Sequence, residues 1–154
     1  MSFSTSTTVY GQIIIEDKIY DLLSQPLGDE QKKTIDDFKK EHNCGISSAP
    51  WSVNKYKWIL EDNKLYLIEV IFKLCEDKSN VIEKVFSTKE LEAIWLSSEL
   101  QVLIEDYKDY SNPDKPRERK RKLMILDFND GILISSREIE EIYTTNRLLD
   151  YLES

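Results

Sequence analysis

Two apolar runs, Tyr56-Lys57-Trp58-Ile59-Leu60 and residues 65–72, flank the polar tetrapeptide Glu61-Asp62-Asn63-Lys64, and this pattern constrains the chain more than any other. β-branched and aromatic side chains dominate both runs, so the spacing predicts two strands joined by a tight turn. In the second run Tyr66, Ile68, Val70 and Phe72 share one face while Leu65, Leu67 and Ile71 share the other. A strand apolar on both sides is covered on both sides and belongs in the middle of a sheet. The chain is therefore committed to a sheet with several further strands.

Those strands are found in three other places. Residues 8–23 read as a hairpin, with Tyr10, Gln12 and Ile14 alternating with Gly11, Ile13 and Ile15, a Glu16-Asp17-Lys18 turn, and a return arm that ends before Pro26. Between residues 94 and 104 the apolar positions Ile94, Leu96, Leu100, Val102 and Ile104 are all even-numbered, which predicts a strand. Residues 122–135 form a third hairpin around Asn129-Asp130-Gly131, since Asp-Gly adopts the positive φ angles a primed turn needs. Residues 138–143 fit either a strand or a helix. A helix is predicted from Gly28 to Asn43, with Asp29 as N-cap, a thin stripe of Ile35 and Phe38, and a left-handed stop at Asn43 or Gly45. Ser87-Thr88-Lys89-Glu90 matches a capping box for a short turn of helix carrying Leu91 and Ile94. Leu148, Leu149 and Leu152 predict a short C-terminal helix from about Thr145. Residues 106–122, with Asn112, Pro113 and Pro116, read as a flexible loop. The expectation is one α+β domain over residues 1–154: a mainly antiparallel, twisted sheet of six to eight strands curling towards a half-barrel, with a helix in the N-terminal half and another at the C-terminus.

A chain of 154 residues with 40% hydrophobic and 32% charged side chains can bury a continuous core without disulfides or a structural metal. Twenty-one Lys and Arg against 29 Asp and Glu give a net charge of −8, which disfavours phosphate backbones and anionic membranes and favours a cationic protein partner. The four glycines, Gly11, Gly28, Gly45 and Gly131, are too dispersed for a phosphate-cradling loop. His42 is the only histidine. It stands at the end of a charged helix, where a capping role outweighs a catalytic one. Cys44 and Cys75 lack metal-site spacing and are expected as reduced structural thiols, which suits a cytoplasmic protein. The first fifteen residues carry no Lys or Arg, and the apolar run 9–15 stops at Glu16, so neither a secretory signal nor a spanning helix is expected.

No residue set here has the pattern of a catalytic, cofactor or metal site. Adjacent acids on an extended strand point to opposite faces, so Glu61/Asp62, Glu76/Asp77 and Glu105/Asp106 do not converge on one substrate atom. Together with Asp109 they are instead candidates for contact with a partner. Trp51, in a loop after Pro50, is the best exposed aromatic anchor. Arg117-Glu118-Arg119-Lys120-Arg121-Lys122 is the one basic cluster, and it supports the alternative of a nucleic-acid factor or small enzyme built on that loop.

Pro26-Leu27, Trp51 seven residues before Trp58, the run Trp58-Ile59-Leu60-Glu61-Asp62-Asn63-Lys64-Leu65-Tyr66-Leu67, the Trp95 strand and the Phe128 to Gly131 turn occur in this order. In these features the chain resembles a group of small bacterial proteins, some of which are similar to immunity proteins encoded beside toxin genes. Ser52-Val53-Asn54 stands where similar sequences carry Arg-Gly-Tyr. The resemblance supplies no catalytic residues and supports the architecture first; taken with the acidity and the lack of a site, it leads to the expectation of a non-catalytic protein, with no cofactor, that occludes a cognate toxin domain.

Overall fold

A computed structural model describes residues 8–42, 44, 54–109 and 114–145. Trp51, the helix stops Asn43 and Gly45, and the C-terminal helix expected beyond Thr145 lie outside these residues. The described chain contains strands β1 (Gly11–Ile15), β2 (Lys18–Leu22), β3 (Asn54–Glu61), β4 (Lys64–Phe72), β5 (Leu91–Glu92), β6 (Glu99–Asp109), β7 (Arg117–Asn129) and β8 (Ile132–Thr145), with helices α1 (Asp29–Glu41) and α2 (Ile82–Phe86).

Local turn chemistry sets this order. Three hairpins close on two residues that both have positive φ: Glu16 and Asp17 (50° and 66°), Asp62 and Asn63 (51° and 63°), and Asp130 and Gly131 (48° and 81°). Such turns match the right-handed twist of the strands they join. Neighbours run β3-β1-β2-β6-β7-β8-β4-β5, and β3 also pairs with β4, so the pairing returns on itself. Every pair is antiparallel except β1 with β3. The expected half-barrel is thus a ring, and its thinnest seam is a single β4–β8 residue pair, Lys64 with Ile132. The stretch from β5 to β6 bridges that seam: Ala93 N donates to Leu65 O (2.8 Å), Gly131 N to Leu96 O (2.8 Å) and Phe128 N to Ser98 O (3.1 Å).

Inside the ring Ile13, Leu22, Trp58, Leu65, Leu67, Val70, Phe72, Leu100, Val102, Leu126 and Phe128 form the core, joined by Ile35 of α1 and Val81, Ile82 and Val85 around α2. The two faces expected for β4 are corrected here. The register shifts between Lys57/Glu69 and Trp58/Leu67, so Ile68 is an extra residue in β4. A bulge changes the phase of the alternation, and Leu65, Leu67, Val70 and Phe72 consequently all point inward. Asn80 satisfies the backbone there: its Oδ1 accepts from Val70 N (2.9 Å) and from Ile82 N (3.1 Å), while its Nδ2 donates to Ile68 O (3.1 Å).

Several other expectations are corrected. Gly28, not Asp29, is the N-cap of α1 and makes no side-chain cap. The short helix precedes the capping-box sequence: Ser87 ends α2 in the left-handed region, and Leu91 enters β5. The strand expected from residue 94 begins at Glu99, because residues 93–98 are drawn across the seam. Residues 106–122 are mainly strand, with β6 reaching Asp109 and β7 starting at Arg117. Residues 138–143 belong to β8. Cys44 and Cys75 form a disulfide, their Cα atoms 4.4 Å apart, rather than two reduced thiols, so they no longer argue for a reducing compartment. No helix among the described residues is long and apolar enough to cross a membrane.

Candidate functional site

The acids singled out in the sequence separate into three places. Glu61 and Asp62 lie at the β3–β4 turn, where the topology gathers other turns. The parallel pairing of β1 with β3 sets Ile14 beside Ile59, so Glu16-Asp17 follows alongside Glu61-Asp62. On the other side Leu133 N donates to Asn63 O (2.8 Å), which brings the Asp130-Gly131 turn against the same spot. All three turns carry exposed acid, and exposed isoleucines adjoin two of them: Ile19 of β2 follows the first turn, and Ile94 beside Gly131 and Ile132 of β8 adjoin the third. Asp130 is held in place: its backbone N donates to Ser97 Oγ (2.8 Å). Sequence reading missed Glu16, Asp17 and Asp130 because each looks like ordinary turn chemistry. Only the strand order makes them neighbours.

Glu76 and Asp77 follow β4 and line a shallow cleft of about 310 Å³ with Phe38, His42, Cys75 and Lys84. Their side chains are committed locally. Asp77 accepts from Ser79 through the hydroxyl and the backbone N and from Lys84 Nζ (2.9 Å), and these bonds hold its carboxyl well below the usual range. His42 stacks on Phe38 with ring centroids 4.0 Å apart, and its Nδ1 lies 2.9 Å from Phe38 O. The imidazole therefore caps α1, as its position predicts.

Glu105, Asp106 and Asp109 lie on the outer half of β6, beside the sequence's basic cluster. That cluster is a strand, not a loop, and its arginines are turned into acid. Arg119, 5% exposed, donates through Nε (3.1 Å) and Nη2 (2.9 Å) to Asp106. Arg121, 7% exposed, donates to Glu141 (2.7 Å), and its guanidinium lies 5.9 Å from the Tyr143 ring centroid. The Arg119 hydrogen bonds hold Asp106 below the ordinary carboxylate range. Burial acts upward on Glu141 but is outweighed by hydrogen bonds from Tyr143 and Arg121, which leave its pKa low. Lys120 pairs with Glu118 and Lys122 with Glu138. Cations engaged in this way are poorly placed to grip a phosphate backbone.

A further cleft, of about 400 Å³, lies between α1, the start of β3 and Tyr10, with Lys32, Asp36, Asn54 and Tyr56 on its walls. Burial pushes the Tyr56 phenol up to about 12, against a 3.1 Å hydrogen bond from Asn54, so it is a neutral phenol at pH 7. Among the described residues no group of three or more His, Cys, Asp or Glu side chains could hold a metal ion. The chain matches no protein family, no curated protein and no solved structure.

Proposed function

We propose that this protein is a non-enzymatic binding protein that neutralises a basic toxin domain, and that the converging turns around Glu61 and Asp62 are its contact surface. One observation carries the reading: the parallel β1–β3 pairing sets the Glu16-Asp17 and Glu61-Asp62 turns side by side, with exposed Ile19 following the first turn and exposed Ile94 and Ile132 at the neighbouring Asp130-Gly131 turn. Acids of this kind steer a cationic partner and fix its orientation, while apolar side chains supply the area that loses water on contact. The net charge of −8 extends the attraction beyond the contact itself. Immunity proteins, to which some members of the group that the sequence resembles are similar, act by such occlusion.

The test uses the basic domain of a secreted effector encoded next to this chain, mixed with wild type and with Glu16→Lys/Glu61→Lys/Asp62→Lys. Stopped-flow association with wild type should be fast and weaken as salt rises, and the triple variant should associate at least about tenfold more slowly. Equal rates for the two proteins overturn the reading. A cytoplasmic site of action is part of the proposal and is checked separately by titrating thiols in protein isolated from its host. Two reactive thiols support the cytoplasm, whereas a closed Cys44–Cys75 bond places the protein in an oxidising compartment.

A further inference from the structure

The outer edge of β8 is the longest unpartnered backbone among the described strands. β8 pairs with β7 from Ile132 to Thr145, with Ile134 as an extra residue where the register shifts, but on its other side it pairs with β4 only at Ile132. Among the described residues no strand pairs with that side of β8 from Ile134 to Ile142, about 30 Å of extended chain, and the main-chain groups of alternate residues there face it. Ile134 and Ile142, 60% and 58% exposed, stand along that edge.

Register gives the edge a charge pattern. Residues directly opposite in an antiparallel pair lie on the same face. One row across β6, β7 and β8 is Glu105, Lys122, Glu140, and the adjacent row, on the opposite face, is Asp106, Arg121, Glu141. Both rows read acid, base, acid, and both end in a carboxylate at the open edge. A depression of about 350 Å³ lies along the first row, with Tyr107 and Lys120 on its walls. A second copy of this chain is a poorer occupant than a cationic segment. Two β8 strands paired about Glu138, Glu140 or Glu141 oppose that residue to itself, pairing about Ile139 sets Glu138 against Glu140 twice, pairing about Arg137 opposes two arginines, and pairing about Ser136 or Ile142 opposes no like charges but sets no cation against Glu140 or Glu141. Like charges in direct cross-strand opposition are destabilising.

We infer that the β8 edge accepts an added strand from a partner, an extended segment with two consecutive basic residues placed opposite Glu140 and Glu141 and apolar residues beside Ile134 and Ile142. Two adjacent cations on a strand point to opposite faces, so one segment completes both rows at once. The ladder of main-chain hydrogen bonds supplies affinity and the paired charges supply register. The inference shares with the proposed function only the sign of the partner's charge.

The probe is a synthetic ten-residue peptide alternating Thr and Val with Lys-Arg at its centre, titrated by calorimetry and by amide chemical shifts. Binding is expected, with shifts centred on Glu140 and Glu141. The same peptide N-methylated at alternate positions keeps its charge but loses the ladder, and should bind at least about tenfold more weakly. Replacing Lys-Arg in the peptide by Glu-Glu should abolish binding, and Glu140→Lys in the protein should weaken it. The triple variant at residues 16, 61 and 62 should bind the Lys-Arg peptide like wild type, so failure of the turn surface and failure of the edge are separable. Equal binding of the N-methylated peptide, indifference to the peptide's charge, or no binding at millimolar peptide overturns the inference.

Discussion

The inner and outer halves of β6 and β7 share one hydrogen-bond ladder, yet different side-chain chemistry sustains them. Inside the ring Leu100, Val102 and Leu126 are buried in apolar contact with strands from the far side. Beyond the register shift between Leu103 and Glu105 the same strands carry Asp106, Arg119 and Arg121, which meet Glu141 and Tyr143 of β8. Apolar burial is non-directional, involves no titrating group and is not weakened by charge screening. An ion-pair network depends on both. Backbone regularity alone thus gives no indication of what stabilises a strand, and the two halves should fail under different conditions.

The largest effect is expected in the ring. Trp58 is fully buried, and Trp58→Ala removes its area and leaves a cavity, at a cost of about 3–5 kcal/mol measured by urea unfolding. Reducing the Cys44–Cys75 bond, which closes a separation of 31 residues, should cost about 3–4 kcal/mol on the chain-entropy view. That loss should appear as a lower unfolding midpoint in reductant, and the Arg119 and Arg121 network should be unaffected by it. An equal midpoint with and without reductant would show that α1 and the end of β4 are held together by packing alone.

In the outer half Arg121→Met should cost about 1–3 kcal/mol, less than the loss of one partner from a fully buried pair, because Glu141 is 30% exposed and can rehydrate. Hydrogen exchange should locate the change in the outer strands and leave the ring protected. The pH dependence follows from the same groups. Asp106 and Glu141 have folded-state pKa values below their unfolded ones, so their contribution is present in full above about pH 5 and is lost as pH falls through the depressed folded values. Comparing unfolding at pH 7 and pH 3 should show a drop in wild type that is smaller in Arg121→Met. Equal drops would assign the acid sensitivity to other carboxylates.

This division explains what the sequence made legible. Hairpins announced by turn chemistry, such as Asp130-Gly131, appear where expected, because a two-residue turn with positive φ is a local property. The faces of β4 were not legible: the bulge at Ile68 depends on Asn80, twelve residues away, and strict alternation assigns Val70 and Phe72 to the wrong side of Leu65 and Leu67. Charge density and two prolines make residues 106–122 look like a loop, but the acids that neutralise Arg119 and Arg121 come from β6 and β8. Of the candidate contacts, Glu61 and Asp62 were visible as a turn, whereas their neighbours Glu16 and Asp17 required the β1–β3 pairing, a parallel contact between hairpins distant in sequence.

The smallest effect is expected at Ile142, and it separates the two halves most cleanly. Its side chain is 58% exposed on the outer part of β8, in line with Lys120 and Tyr107 across the sheet. Ile142→Thr keeps β-branching, so strand propensity is preserved, and little buried area is lost. Stability should therefore change by no more than about 0.5 kcal/mol. A loss near that of a buried isoleucine truncation would mean that the outer half has an apolar cluster of its own. Its stability would then rest on burial as the ring's does, and the acid sensitivity expected of Asp106 and Glu141 would be correspondingly muted.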